Sequence, residues 1–197
     1  KPRESVVFFT LHKIFHMRTI RICYFLLICF FVFSCGNEEI KSVKIKGQYQ
    51  IELPKTLSKA DNLHEDASLQ YQNIFSEFYT IVIDEPVSDF NDMVSQDEYL
   101  AESYSPNLTG YSNLLKDNLS VSIKNGKFSA FQDTRINGLE AKLMNVAGTV
   151  DGIDVYYQFG FVKGKDHYYQ IVNWTELKRK ETNQKAMEKI ISSFKES

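Results

Sequence analysis

The sequence predicts a single α+β domain, in which helices flank an antiparallel β-sheet of about six or seven strands. Three observations support this fold class. The second half of the chain alternates apolar and polar residues between short turn signals, two middle segments repeat apolar residues at helical spacing, and a further helical segment closes the chain. Because short turns join antiparallel neighbours, the second half is expected to form a β-meander.

The domain is expected to begin with strands. Residues 49–53 alternate apolar and polar side chains and end at Pro54, which is typical of a strand. A polar loop is predicted over residues 55–66. Residues 67–72 and 78–83 are predicted to be the next two strands, and the latter is rich in β-branched and aromatic side chains.

Two helices are predicted in the middle of the chain. Residues 88–103 carry apolar side chains at helical spacing, and Ser88 and Asp89 are suited to capping the helix start. Pro106 interrupts this pattern, and residues 108–115 resume the spacing as a second helix. The two helices therefore separate the first strands from the meander.

The meander is defined by tight-turn signals. Asn125-Gly126, Asn137-Gly138 and Asp151-Gly152 can supply the positive φ angles that hairpin turns require. A further turn is predicted at residues 163–166. The strands connected by these turns are predicted over residues 120–123, 127–131, 139–147, 153–161 and 167–174.

The chain is predicted to close with an amphipathic helix that packs on one face of the sheet. The helical pattern follows Thr182 and Asn183. Its apolar residues recur at helical spacing, and they are Ala186, Met187, Ile190, Ile191 and Phe194.

The N-terminal segment resembles an export signal rather than part of the fold. Met17 is followed by two arginines, an apolar run covers residues 22–33, and Ser34-Cys35 precedes a change to polar residues. The sequence Val-Phe-Ser-Cys that ends at Cys35 resembles a bacterial lipobox, in which the cysteine is lipidated and the residues before it are removed.

Four segments follow from this pattern. We expect residues 1–16 to be an upstream artefact, residues 17–34 a lipoprotein signal peptide, residues 35–46 a tether that begins at the lipidated Cys35, and residues 47–197 the folded domain. The alternative is a retained membrane-spanning helix. It is disfavoured because the apolar run covers about 12 residues, whereas a helix needs roughly 20 to cross a bilayer.

Charge and cysteine placement exclude several function classes. Five basic residues and one acidic residue precede Cys35, so the processed chain has a formal charge of −6, and its basic residues are scattered. Nucleic acid is therefore not expected as a partner. Cys23 and Cys29 leave with the signal, which leaves no cysteine for a disulfide, a zinc site or a thiol nucleophile. No metal or other cofactor is expected.

The sequence carries no recognised catalytic motif. It contains no Gly-x-Ser-x-Gly elbow, no Gly-x-Gly-x-x-Gly or Walker loop, and no His-Glu-x-x-His helix. His64 lies beside Glu65 and Asp66, but adjacency alone does not define a metal site, and a solvated loop is the preferred interpretation. The prediction is a protein that is not an enzyme. The alternative is a hydrolase whose site assembles in space, for example around His167.

Aromatic side chains provide the remaining candidate site. Tyr156 falls on the polar side of its predicted strand, and Tyr168 and Tyr169 cannot face the same way because neighbours on a strand point to opposite faces. Tyr156 and either Tyr168 or Tyr169 are therefore expected to be exposed. Together with Trp174, these tyrosines are the candidate partner-binding residues, because Tyr and Trp are enriched at binding surfaces.

The overall pattern resembles the Mog1/PsbP-like fold over residues 47–197. The resemblance is carried by the sequence YQIELPKTL from Tyr49, the helical insert after the early strands, the segment VYYQFGFVKGKDHYYQIVNWT from Val155, and the closing AMEKIISSF. Leu57 stands where the family commonly has an aromatic residue. The family includes bacterial envelope lipoproteins and its members bind protein partners, so the resemblance implies a binding role.

These features predict a bacterial envelope protein that is held at the membrane through lipid on Cys35. Its domain is expected to bind an envelope protein or a small hydrophobic ligand. The expected location is the outer membrane, on the periplasmic or the outer surface, and Glu38 and Glu39 resemble acidic signals of surface-displayed lipoproteins. The alternatives are the envelope hydrolase and an immunity-type protein that blocks a toxin.

Overall fold

The computed structural model describes residues 39–45 and 47–197. The predicted signal peptide and Cys35 lie outside the described residues. From Glu39 to Ser197 the chain forms one compact unit, and its described residues build two β-sheets and four α-helices. The predicted α+β class is confirmed.

The elements are numbered in chain order. The strands are β1 (Ile40–Ile45), β2 (Tyr49–Pro54), β3 (Ser58–Lys59), β4 (Ala67–Asn73), β5 (Phe78–Pro86), β6 (Lys124–Phe128), β7 (Gln132–Ile136), β8 (Leu139–Val150), β9 (Ile153–Lys163), β10 (His167–Glu176) and β11 (Lys195–Glu196). The helices are α1 (Val87–Gln96), α2 (Glu98–Ser103), α3 (Leu108–Ser122) and α4 (Lys180–Ser193), and a 3-10 turn at Leu177–Arg179 precedes α4.

The larger sheet has eight strands in the order β3-β4-β5-β10-β9-β8-β6, and β7 pairs with the other half of the long strand β8. Its neighbours are antiparallel throughout. The consecutive pairing of β8, β9 and β10 confirms the predicted meander, and β7 adds a strand over residues 132–136 that was not predicted. The smaller sheet has the order β1-β2-β11.

Both faces of the larger sheet are covered. On one face, α4 and the smaller sheet enclose a core that includes Tyr49, Met187 and Phe194. On the opposite face, α1 and α3 enclose a second core that includes Phe90 and Tyr111. The central strands β9 and β10 are therefore buried along both faces for most of their length.

Two predicted hairpin turns are confirmed. Asn137 and Gly138 have φ angles of 48° and 89°, and they join β7 to β8. Asp151 and Gly152 have φ angles of 50° and 84°, and they join β8 to β9. Two consecutive positive φ angles match the twist of the flanking strands, as in type I′ hairpins.

The predicted turn at Asn125-Gly126 is wrong. Residues 120–122 belong to the end of α3, and Asn125 lies within strand β6 with a φ angle of 54°. The register of β6 against β8 shifts between Lys124 and Lys127, so the Asn-Gly pair forms a bulge. Its tolerance of positive φ is used within a strand rather than between two strands.

The predicted tether is wrong from Ile40 onward, because Ile40–Ile45 forms strand β1 and pairs with β2. The strand alternates exposed and half-buried residues, and Val43 and Ile45 pack against the core beneath α4. Lys41 is the remaining inward-facing residue of the strand. Its ammonium lies over the ring of Tyr71 and donates to the carbonyl of Leu57. This inward lysine gives the strand the composition of a linker.

The predicted cap of the first helix is also wrong, because α1 begins at Val87 without a side-chain cap. Helix α4 begins at Lys180, which places Asn183 inside the helix. The helical stretch predicted over residues 88–103 divides into α1 and α2 at Asp97, whose carboxylate accepts a hydrogen bond from the Leu100 amide at 3.0 Å.

Candidate binding site

Two rows of side chains cross the central strands of the larger sheet at adjacent positions. The aromatic row consists of Tyr79 on β5, Trp174 on β10 and Tyr157 on β9, and it lies on the face covered by α1 and α3. Trp174 is the direct cross-strand neighbour of both tyrosines. Because successive residues on a strand point to opposite faces, the residues next to this row form a second row beneath α4.

The rings of the aromatic row are stacked. The ring centroids of Tyr79 and Trp174 lie 5.2 Å apart with an interplanar angle of 12°, and those of Trp174 and Tyr157 lie 6.2 Å apart at 30°. All three side chains are partly exposed. Burial, with a further contribution from the charge of Asp151, raises the pKa of Tyr157 above its ordinary value. The row therefore presents a neutral, partly exposed aromatic strip.

The predicted exposure of Tyr156, and of one of Tyr168 and Tyr169, is wrong. Tyr156, Tyr168 and Tyr169 are 6%, 0% and 1% exposed. Tyr168 stacks on Tyr111 at 4.4 Å, whereas the hydroxyl of Tyr169 donates to Glu196 at 3.3 Å. Alternation along β9 and β10 does not separate core from solvent because both faces of these strands are covered.

Trp174, the fourth candidate residue, is partly exposed. Its neighbours on the surface are Tyr79 and Tyr157 rather than the residues predicted to accompany it. Tyr79 lies on a strand nearly a hundred positions away in the chain, so only the pairing of β5 with β10 brings it to Trp174.

The polar row consists of Thr80 on β5, Asn173 on β10, Gln158 on β9 and Asn145 on β8. Each is the direct cross-strand neighbour of the next. Thr80, Asn173 and Gln158 are buried, and Asn145 is exposed at the end of the row. A polar row thus runs from the surface into the space beneath α4.

Helix α4 satisfies only part of this row. Asn173 donates from Nδ2 to the carbonyl oxygen of Met187 at 3.4 Å. Next to the row, Asn183 on α4 donates from Nδ2 to Thr175 Oγ1 at 2.8 Å and to the Ser76 carbonyl at 3.2 Å.

Three buried oxygen atoms of the polar row have no hydrogen-bond partner among the described residues. They are Thr80 Oγ1, Asn173 Oδ1 and Gln158 Oε1. The Gln158 amide donates from Nε2 to the Tyr156 hydroxyl at 3.2 Å, which leaves its oxygen available as an acceptor. Unpartnered buried acceptors are uncommon in folded proteins and often indicate a bound molecule or water.

A cleft of about 270 Å³ opens beside Gln158, between α4 and strands β7, β8 and β9. Gly160 explains its boundary, because a Cβ atom there would lie 2.6 Å from Cγ2 of Ile191, so α4 contacts β9 closely at this residue. Around Gln158 the helix leaves space. The cleft combines apolar and polar side chains, among them Ile136, Leu143, Ile191, Gln132, Asn145, Gln158, Glu188 and Ser192.

The histidines considered for the hydrolase alternative do not line the cleft. Its lining includes one carboxylate, from Glu188, and neither His64 nor His167. His64 Nδ1 instead accepts a hydrogen bond from the Asp66 amide at 3.2 Å in its own loop. Among residues 39–45 and 47–197, no group of three or more His, Cys, Asp and Glu side chains could hold a metal ion.

The cleft was not predicted from the sequence. The available signal was a polar residue in the middle of an apolar strand, as at Gln158 and Asn173. The side chains of such residues are fully hydrogen-bonded in some proteins and lack partners in others. Here the position of α4 decides which polar atoms find a partner, and the sequence does not give that position.

The fold is similar to that of two solved structures. Cyanobacterial PsbP (CyanoP) from Synechocystis sp. PCC 6803 matches with a TM-score of 0.54 at 11% identity, over 83% of this chain and 96% of that chain. LpqN of Mycobacterium tuberculosis matches with a TM-score of 0.51 at 9% identity, over 81% and 91%. The predicted PsbP-like fold is thereby confirmed. No protein-family model and no curated protein matches the sequence.

Proposed function

We propose that this chain is a lipid-anchored, non-catalytic binding protein of the bacterial cell envelope. The lipobox-like sequence that ends at Cys35 supports the anchor. A neighbour in fold, LpqN, is involved in cell envelope biogenesis, which is consistent with an envelope role. None of the helices within residues 47–197 has the length and apolar character that crossing a bilayer requires.

The cleft beneath α4 is the proposed ligand site. The observation that carries this assignment is that Gln158 lines the cleft and has a buried side-chain oxygen without a hydrogen-bond partner among the described residues. An acceptor without a partner can be satisfied by a hydroxyl or N–H donor of a ligand, as it can by water. Ile136, Leu143 and Ile191 supply apolar surface around it. The proposed ligand is therefore a small molecule that joins an apolar part to a hydrogen-bond donor, as is usual for concave sites of this kind.

The anchor can be tested with the three cysteines of the N-terminal segment. Replacing Cys35 with Ala should release the protein from the membrane fraction and abolish incorporation of labelled palmitate. Cys23→Ala and Cys29→Ala are matched controls, because both lie within the predicted signal, and they should leave attachment unchanged. Continued membrane attachment of the Cys35→Ala protein would contradict the anchor. Added protease should remove the domain from intact cells if it is displayed on the outer surface.

The ligand site can be tested at the mouth of the cleft. Asn145 is exposed and lies opposite Gln158, so Asn145→Trp should fill the mouth without disturbing either core. Native mass spectrometry of protein extracted from its own membrane should show a bound small molecule, and this mass should be lost in Asn145→Trp. Glu140→Trp is the matched control, because Glu140 is also exposed on β8 but does not line the cleft. A mass retained in Asn145→Trp, or absent from the unaltered protein, would contradict the site.

The aromatic row supports a second candidate function, the binding of an envelope protein. Its specific support is the partly exposed stack of Tyr79, Trp174 and Tyr157, since Tyr and Trp dominate the energetics of protein interfaces. Tyr79→Ser should then abolish capture of the partner from solubilised membranes. Tyr99→Ser removes an exposed tyrosine on α2 and should not affect capture.

A further inference from the structure

Exposed apolar side chains gather at one end of the domain. Among the described residues, eight large apolar side chains are exposed, and two of them, Met93 and Tyr99, lie on α1 and α2. The other six lie at or near the end of the larger sheet where β4 passes into β5. Val121, at the end of α3, belongs to this end because Lys124 pairs with Thr149 beside the β8–β9 hairpin. We refer to these six as the apolar end, and they are Ile40, Ile74, Phe75, Val121, Ile153 and Leu177.

Strand pairing brings most of these residues together. Phe78 at the start of β5 pairs with Thr175, and Glu176 at the end of β10 pairs with Val155 near the start of β9. The β4–β5 turn, the 3-10 turn and the β8–β9 hairpin therefore lie side by side at one end of the larger sheet. Ile153 and Leu177 line one shallow surface depression there. Phe75, at the tip of the β4–β5 turn, is 87% exposed.

The chain leaves toward Cys35 from this same end. The Lys55 amide donates to the carbonyl of Glu39 at 2.7 Å. Thr56, the residue after Lys55, accepts a hydrogen bond at its carbonyl from the side chain of Asn73 at 3.1 Å. Glu39 is thus close to the turn that carries Ile74 and Phe75. The four residue steps from Cys35 to Glu39 span at most about 14 Å. A lipid on Cys35 would hold this end, and no other, next to the membrane.

Six charged side chains at this end are paired with one another, whereas Asp151 and Asp154, on either side of Ile153, form no salt bridge among the described residues. Lys55 Nζ lies 3.0 Å from a carboxylate oxygen of Glu39, and Arg179 Nε lies 3.5 Å from one of Glu77. Lys178 contacts Glu176 and lies 3.8 Å from Glu77. Any attraction of the apolar end to a surface would therefore come from apolar burial rather than from basic charge.

We propose that the apolar end docks on the lipid bilayer that holds the acyl chains of Cys35, with Phe75 and Ile74 inserted below the headgroups. This proposal rests on the proposed lipid anchor. Exposed apolar side chains at the bilayer interface add to the binding that acyl chains provide, and shallow insertion needs no basic cluster. The domain would then stand on the membrane in one orientation, with the β9–β10 turn pointing away.

A fluorescence experiment tests the contact directly. Trp174 is the single tryptophan of the chain, so Trp174→Phe provides a background without tryptophan. Phe75→Trp in that background reports on the apolar end, and Lys165→Trp reports on the exposed β9–β10 turn. Strand β9 separates these two ends by about 35 Å. The lipidated proteins are extracted from bacterial membranes and reconstituted into phosphatidylcholine vesicles whose acyl chains are brominated.

Docking predicts that Phe75→Trp loses most of its emission in brominated vesicles and that Lys165→Trp loses none. Flotation of the vesicles reports separately on the anchor. If the proteins float and Phe75→Trp is not quenched, docking is wrong and the anchor stands. If both positions are quenched equally, contact through the apolar end is wrong. If the proteins do not float, the anchor fails and docking fails with it. Far-ultraviolet circular dichroism, unchanged from the parent protein, shows that each variant is folded.

Discussion

The aromatic row and the polar row cross the same central strands, β5, β10 and β9, at adjacent positions on opposite faces. In the aromatic row, each ring stacks on its neighbour and remains partly exposed. In the polar row, the side chains on these three strands are buried, and each has an oxygen without a hydrogen-bond partner among the described residues. The more polar of the two rows is therefore the more deeply buried.

The two rows are expected to contribute differently to the stability of the sheet. Stacked aromatic neighbours contribute about 0.5–1.5 kcal/mol per pair beyond the area they bury. A buried acceptor that lacks a partner costs about 1–3 kcal/mol. A chain selected for stability alone would fill the polar row with apolar residues, and departures from such consistency are expected at functional sites. The comparison therefore favours the cleft over the aromatic row as the primary binding site.

The largest expected loss of stability is in the aromatic row. Trp174→Ala removes the ring that contacts both Tyr79 and Tyr157, and it should lower the free energy of unfolding by about 3 kcal/mol. Trp174→Phe is the control, because it keeps an aromatic ring between the two tyrosines and should retain most of the stability. Urea unfolding followed by circular dichroism measures both. A loss below about 1 kcal/mol in Trp174→Ala would mean that the row contributes surface but little stability.

The rows also show which parts of the structure are readable from the sequence. The turns at Asn137 and Asp151 were predicted correctly, because positive φ at an Asn-Gly or Asp-Gly pair is a local property. The same local property was misread at Asn125, where the pairing of β6 with β8 converts it into a bulge. A local signal identifies an unusual backbone angle, whereas the surrounding strands decide what that angle does.

The orientation of the aromatic residues depended on what covers the sheet. Tyr156 was assigned to the polar side of β9 together with Gln158, and the structure does place both on one face. That face is buried beneath α4, so polarity along the strand did not indicate solvent. The sequence predicted α4 and its apolar stripe, but not the length over which it covers β9, and the position of the cleft depends on that length.

A second prediction concerns the closest contact between α4 and the sheet. Gly160→Ala places a Cβ atom against Ile191, and relief of this overlap requires α4 to shift near the cleft. The expected loss is about 2 kcal/mol in the free energy of unfolding, measured with urea. Adding Ile191→Ala to Gly160→Ala should then cost less than Ile191→Ala costs in the unaltered protein, because the new methyl group occupies the vacated space. Strict additivity of the two changes would contradict the close approach.

A third prediction concerns Asn183, a buried side chain next to the polar row whose hydrogen bonds are made. Asn183 donates to Thr175 Oγ1 and to the Ser76 carbonyl, and it is buried. Asn183→Ala would leave both acceptors without this donor, and it should lower the free energy of unfolding by about 1.5 kcal/mol. Asn145→Ala, at the exposed end of the polar row, is the control and should have little effect. Equal losses of unfolding free energy in the two variants would show that burial does not determine what these two asparagines contribute to stability.

The smallest expected change is at Gln158, and its sign is the sharpest test of the comparison. Gln158→Leu preserves approximate size, removes the unpartnered Oε1 and loses one hydrogen bond to the Tyr156 hydroxyl. In protein stripped of ligand by unfolding and refolding, the free energy of unfolding should change by less than about 1 kcal/mol, or increase, because an orphaned acceptor is gone. In protein kept in its native membrane extract, the same substitution should lower the melting temperature, because the acceptor then has a ligand to hold. A loss of more than about 2 kcal/mol in the refolded protein would instead show that Oε1 is already satisfied without a ligand, and the reason for assigning function to the polar row would be lost.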